Sequence, residues 1–181
     1  EGLGTVQLAA NGITPWTPET PALYTLRVNV TANGTADTAE QRIGIRTIQV
    51  SSKTGLLLNG QPRTMKGGCI HHDLGILGAA DHAAAERRRI RLMKESGFDA
   101  IRAAHNPFGP AFLDACDELG MLVVEEAFDE WVMGRTSFGL HVTFEQCWEK
   151  DLEDMITRDY NHPCIVMWST GNEGEERDGT A

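Results

Sequence analysis

Apolar and polar residues alternate along this chain with two different rhythms, and the change falls near residue 50. Residues 23–30, Leu-Tyr-Thr-Leu-Arg-Val-Asn-Val, alternate with period two, the pattern of a half-buried strand. Asn33-Gly34 follows as a turn signal. Residues 41–50, Gln-Arg-Ile-Gly-Ile-Arg-Thr-Ile-Gln-Val, alternate again, and no helical period precedes Ser51. This predicts antiparallel strands of a β-sandwich, too few to close one. The sandwich domain is therefore expected to begin upstream of Glu1.

After Ser51 the chain becomes short apolar runs separated by amphipathic stretches. Leu56-Leu57-Leu58 followed by Asn59-Gly60 predicts a hairpin. Strands are expected near residues 65–70, 100–104, 121–125 and 165–170. Asp81 can cap a helix that continues through Arg89, Met93 and Glu95 and stops at Gly97. Pro110 suits the first turn of a second helix, which ends at Gly120. Thr143 with Gln146 forms a capping-box pattern for a third, stopped by Asn161-His162-Pro163. Apolar strands alternating with such helices predict a parallel sheet covered by helices. No Gly-x-Gly-x-x-Gly or Walker pattern follows any strand, which disfavours a nucleotide fold. The expected fold is a partial β-sandwich over residues 1–50, then the N-terminal half of a (β/α)8 barrel over residues 51–181.

Charge narrows the ligand. The formal net charge is −10, so nucleic acid is disfavoured while a neutral ligand such as a sugar is compatible. No apolar run reaches the ~18 residues a membrane span needs. No signal peptide opens the chain, and the compartment stays open. Cys69, Cys116, Cys147 and Cys164 form no Cys-x-x-Cys pair and lie in or beside apolar runs, so buried free thiols are expected. No cofactor is expected.

The strand ends carry the candidate chemistry. Ile165-Val166-Met167-Trp168 runs into Ser169-Thr170-Gly171-Asn172-Glu173, which sets an amide beside a carboxylic acid at the mouth of a sheet. Glu173 is a candidate general acid, or else a solvated loop glutamate. Asn172 can bond a sugar hydroxyl, or serve only as a turn residue. Arg102 lies inside an apolar strand and needs an anionic or polar partner, catalytic or structural. His105 ends that strand before Asn106-Pro107. His71, His72 and Asp73 cluster after the first strand, but neighbouring strand residues face opposite ways, which argues against a two-histidine metal site. A ligand contact by His71 is the better reading. Glu125, Glu126, Asp129 and Glu130 form an acidic run beside Trp131. Such runs are usually solvated, yet this one directly follows a buried strand, and an aromatic near carboxylates suits sugar stacking.

Taken together, these blocks resemble glycoside hydrolase family 2, which includes β-galactosidases, β-glucuronidases and β-mannosidases. Trp16-Thr17-Pro18 through Pro21-Ala22-Leu23-Tyr24 resembles the family's immunoglobulin-like domain, and Gly44-Ile45-Arg46 the strand leading into its barrel. Leu58-Asn59-Gly60-Gln61-Pro62 and Lys66-Gly67-Gly68 resemble the barrel entrance. Residues 101–107 resemble the family's Arg-x-Ser-His-x-Pro segment, with Ala104 replacing the serine. The block from Asn161-His162-Pro163 to Trp168-Ser169-Thr170-Gly171-Asn172-Glu173 is the most specific.

By this resemblance Glu173 is the general acid/base, Asn172 contacts the sugar 2-hydroxyl and Arg102 supports the nucleophile. His71 and His105 are pocket histidines. The acidic run after a buried strand, with its aromatic, separately places Glu126, Asp129 and Trp131 in the substrate site. Cys69 stands where asparagine is usual, a departure from the pattern. Gly171 and the blocks around residues 71–75 and 126–131 resemble bacterial β-galactosidase-type members.

The resemblance implies a retaining exo-β-glycosidase for terminal β-linked sugars, β-galactosides first, whose nucleophile lies on a later strand. The partners implied are a carbohydrate substrate and the remainder of the parent chain, with homo-oligomerisation of the parent left open. This segment alone is expected to be inactive. The competing class is a non-catalytic carbohydrate-binding protein of the same fold.

Overall fold

The computed structural model describes residues 5–9 and 11–172. Two strands, β1 (Tyr24–Ala32) and β2 (Thr35–Ile43), form an antiparallel hairpin turned at Asn33-Gly34. The alternation in residues 41–50 does not continue as one strand. It breaks at residues 44–47, and β3 (Ile48–Ser51) leaves the hairpin to pair with β4 (Gly55–Leu58), which pairs with β5 (Gln61–Pro62). At the break Gly44 lets the chain pass close to Pro163, whose ring a Cβ there would approach to 2.5 Å.

The remaining strands are β6 (Gly67–Ile70), β7 (Ala100–Ala103), β8 (Leu122–Glu126) and β9 (Ile165–Ser169), within one or two residues of their expected positions. They form one parallel sheet in sequential order, as consecutive β/α units of a barrel must. The crossovers are the helices α1 (Ala83–Glu95), α2 (Pro110–Leu119) and α3 (Phe144–Asp159). Helix α2 buries Phe112, Leu113, Ala115 and Cys116, a spacing that keeps one stripe against the sheet. Ile101, Ala103 and Val123 join the same core. On the opposite face of the sheet Val124 is half-buried and Met167 is exposed.

Two expected caps are made differently. Asp81 does not cap α1, whose N-terminal flanking residue is His82. Its carboxylate instead accepts from the Ala111 N–H in the first turn of α2, at 3.2 Å. Thr143 flanks α3 as expected, but its φ and ψ of −124° and 1° turn the hydroxyl back to the Leu140 carbonyl, and no capping box forms. An N-cap side chain reaches forward only from an extended backbone. The thiols differ in burial: Cys116 and Cys164 are buried and free, Cys147 is partly covered, and Cys69 is exposed on β6, against the expectation of burial.

The N-terminal segment is bolted to the parallel sheet and its helices. Trp16 is fully buried in the common core, and its Nε1 donates to the Asp117 carbonyl at 2.9 Å. Arg46 donates to the Pro163 and Ile165 carbonyls at 2.6 and 2.5 Å, which fixes the entry of β9. Asp117 completes this joint, accepting from His162 Nδ1 at 2.6 Å and from the Cys164 N–H at 2.9 Å. His162, read as part of a helix stop, is thus also a structural anchor. The trio Asp117, His162 and Cys164 is close enough to hold a metal, but both Asp117 oxygens are engaged by these bonds.

Gly120 and Gly60 test how this joint is held. Both have positive φ, 73° and 75°, so alanine costs about 1–2 kcal/mol of left-handed strain at either. A Cβ at Gly120 would also lie 2.3 Å from the Pro18 carbonyl oxygen, whereas at Gly60 it meets open space. In the full-length protein, Gly120→Ala is expected to lower the unfolding temperature clearly more than Gly60→Ala. Equal shifts in a thermal melt would show that the Pro18–Gly120 contact does not constrain the fold.

Candidate active site

Strand β8 ends in two adjacent glutamates, and alternation sends them to opposite faces. Glu126 faces the polar end of the sheet, with its side chain 1% exposed. A buried carboxylate must be matched by donors, and this one has them on both oxygens. Arg102 forks onto it, Nε and Nη2 reaching Oε2 and Nη2 also reaching Oε1, at 2.8–2.9 Å. His105 Nδ1 lies 2.6 Å from Oε1, and the Ser169 hydroxyl donates to Oε2 at 2.7 Å. Each donor comes from a neighbouring strand or its end: Arg102 from β7, His105 just after it, Ser169 from the last position of β9. Parallel pairing sets Cys69 beside Arg102 and Ser169 beside Glu126.

Burial pulls the Glu126 carboxyl upward, but hydrogen bonds from His105, Ser169 and Arg102 outweigh it and hold the group below the ordinary carboxylate value. Burial likewise opposes the Arg102 charge, and the bond to Glu126 more than restores it. The pair is therefore ionised, and His105 donates its Nδ1 proton to an acceptor-only carboxylate.

The network extends to the opening of the sheet. Arg102 Nη2 donates to Asn172 Oδ1 at 2.9 Å, and Asn172 Nδ2 donates to Asp129 Oδ1 at 3.0 Å. The Asn172 N–H also donates to the Phe128 carbonyl at 2.8 Å, so the segment after β9 is fastened to the loop after β8. Arg135 donates to Asp129 Oδ1 at 2.8 Å from the far side. Glu130 turns away to the Arg135 N–H and to His141, and these bonds hold its carboxyl down at about 2.

Of the residues singled out in the sequence, Arg102, His105, Glu126, Asp129 and Asn172 form one connected set. His71 joins at its edge, its ring meeting His105 edge-on at 5.1 Å. His72 does not follow: it stacks on Phe108 at 4.0 Å and approaches the Pro107 carbonyl. Asp73 accepts from the Gly75 N–H, so the His71-His72-Asp73 cluster does not converge. Trp131 sits beside the set, its Nε1 3.4 Å from the Thr170 carbonyl and its ring parallel to Phe144. Glu173 lies outside the described residues. Arg102 is less enclosed than its apolar strand implied, with its side chain 34% exposed on the open face. Sequence reasoning missed Ser169 and Arg135. Ser169 stands two positions from Met167, on the same strand face, and that spacing was legible. Arg135 lies in an irregular loop, where no periodicity locates a side chain.

The chemistry this set offers is a fixed polar wall: an amide, an ionised carboxylate–guanidinium fork, an imidazole and a flanking indole. Such a wall offers both donors and acceptors suited to hydroxyl groups.

Comparison with known proteins agrees with this architecture. The family model described as the TIM barrel domain of glycosyl hydrolases family 2 matches residues 48–181, and a second model of family 2 matches residues 4–46. A β-galactosidase of Bacteroides ovatus, BoGH2A, is 42% identical over 93% of this chain and 20% of its own length. A protein of Formosa agariphila named as a putative β-glucuronidase is 37% identical over 93% of this chain and 16% of its own. The crystal structure of a family 2 member from Bacteroides cellulosilyticus superposes with a TM-score of 0.89 at 44% identity, over 93% of this chain and 22% of that one. The chain spans about a fifth of the length of the curated relatives it matches. The chain belongs to glycosyl hydrolase family 2.

Proposed function

We propose that this chain is part of a retaining exo-β-glycosidase acting on terminal β-linked sugars, β-galactosides first. Residues 1–50 are then part of an immunoglobulin-like sandwich, and residues 51–181 are the first half of the catalytic barrel. The observation that carries this reading is the single network joining Arg102, His105, Glu126, Asp129, Ser169 and Asn172 at the C-terminal ends of parallel strands. In α/β barrels that end is where catalysis sits. The 42% identity to a β-galactosidase supports the choice of sugar.

Each residue has a role. Glu173 is the general acid/base, protonating the glycosidic oxygen and then activating water. Asn172, with Nδ2 and Oδ1 oriented by Asp129 and Arg102, contacts the 2-hydroxyl. Arg102 fixes Asn172 through one nitrogen and supports the nucleophile of a later strand. Glu126 keeps Arg102 charged and aimed, His71 and His105 line the pocket, and Trp131 stacks on the sugar. In a retaining glycosidase the acid/base and nucleophile carboxyls stand about 5–5.5 Å apart.

Two substitutions in the full-length protein test these assignments. Glu173→Gln removes acid assistance and spares the nucleophile, so turnover of an unactivated disaccharide should fall about 10²- to 10⁴-fold. Glycosylation by activated aryl glycosides should suffer far less, and added azide should restore their turnover, because a small anion needs no general base. Near-parental turnover of the disaccharide would remove Glu173 from the acid/base role.

Arg102→Lys replaces a planar fork by a point charge. It should lower kcat/KM by about 10- to 100-fold, the equivalent of a charge-assisted hydrogen bond worth about 1.5–3 kcal/mol. The pH dependence has a defined sign. Because the folded Glu126 titrates below the ordinary 4.5, its stabilisation is complete above that pH and is lost as pH falls through the lowered value. Glu126→Gln should therefore cost stability at neutral pH and progressively less in acid. A constant Tm difference from neutral pH to pH ~3 would contradict an ionised Glu126.

A further inference from the structure

Glu125, the neighbour of Glu126, faces the helices and takes no part in the network above. Its residue is fully buried. Oε1 accepts from the Phe108 N–H at 2.8 Å, and Oε2 has no hydrogen-bond partner among the described residues. Phe108 belongs to the turn between β7 and α2, three positions after His105. The other polar atom of the Phe108 backbone is held as well: its carbonyl accepts from Arg158 Nη2 at 2.5 Å, near the end of α3. Arg158 is itself fixed by a fork onto buried Asp159, at 2.6 and 2.7 Å. The Phe108 ring is fully buried between His72 and Phe112, with the Arg89 guanidinium 5.4 Å from its centroid. One residue of the turn is thus pinned by backbone N–H, backbone carbonyl and ring, while His105 projects to the other side of β8.

We propose that Glu125 is a positioning residue for His105: from the helix side of β8 it holds the Phe108 backbone, and with it the turn that presents the imidazole to Glu126. The two successive glutamates of β8 then grip the same turn from opposite faces. The proposal rests on the glycosidase reading for its kinetic readout. The Phe108 N–H needs only an acceptor, and the surroundings favour a neutral one. Burial pushes the Glu125 carboxyl up to about 8, against the Phe108 hydrogen bond, with Asp159 adding to the rise and Arg158 opposing it. Glutamine reproduces a neutral acceptor of the same shape, whereas leucine fills the space without one.

The test uses the full-length protein, 4-nitrophenyl β-galactoside hydrolysis, and the variants E125Q, E125L, H105A and E125L/H105A. E125Q should stay within about twofold of the parent in kcat/KM, and E125L should fall by about tenfold or more. In the H105A background E125L should cost less than about threefold further, because its effect passes through His105. An equal fold-loss from E125L with and without His105, or no loss at all, overturns the proposal. Should E125L not accumulate as folded protein, E125M takes its place, and failure of both to fold also overturns it, since Glu125 would then serve the fold as a whole. If the parent hydrolyses no aryl β-glycoside, the glycosidase reading has failed and the crystal structure of E125L decides the positioning claim separately. A displaced His105 turn supports it, and an unmoved turn refutes it.

Discussion

A carboxylate with almost no solvent exposure, Glu126, governs how the polar end of this parallel sheet is organised. Removing such a charge from water is unfavourable unless good hydrogen bonds replace hydration. Here Arg102, His105 and Ser169 supply them, and all three come from strands or strand ends that parallel pairing brings alongside Glu126. The requirement acts in both directions. Without the sheet's register the donors would not meet, and without the carboxylate Arg102 would lose the anion that sets its plane. Asn172 and Asp129 inherit their orientation from that plane.

The outer layer serves the same end by different physics. Trp16, Arg46 and Asp117 lock the N-terminal segment against the start of β9, so that Ser169 and Asn172 emerge at a fixed height. Arg63 and Asp99 tie the β3–β5 hairpin to the start of β7, and the Lys66 N–H donates to Asp99 at 2.6 Å. These joints are mostly side chain to backbone. That is economical where chain direction must be fixed but side-chain specificity is not needed. The polar wall, in contrast, is built from side chains bonded to side chains, which is where chemical selectivity can reside.

Much of this was legible from the sequence, and the failures have physical causes. Apolar runs bounded by glycine and proline located β6 to β9, although only β7 and β8 are buried along most of their length. Polar residues at those strand ends located His105, Glu126 and Asn172, because parallel strands deliver their ends together, and a lone charge inside an apolar strand located Arg102. Asp81 and Thr143 were misassigned because a cap depends on local φ and ψ and on what else lies within reach. The nearer claimant on Asp81 was the Ala111 N–H of a different helix. Ile48 to Ser51 kept the alternation of β2 but changed partner, and periodicity carries no record of which strand lies alongside. Cys69 looked buried because apolar neighbours flank it, yet its side of β6 is the open one. Glu173, the residue on which the sequence argument leaned most, lies outside the described residues.

The most direct test of the central claim is a crystal structure of the full-length protein with a galactose-configured iminosugar bound. The account predicts the Arg102–Glu126 fork intact beneath the ligand, His105 still on Glu126, and a ring hydroxyl within hydrogen-bond distance of the Asn172 side chain. An iminosugar seated at the other end of the sheet, or an Arg102 turned off Glu126 to bind it, would contradict the claim that this buried carboxylate organises the site.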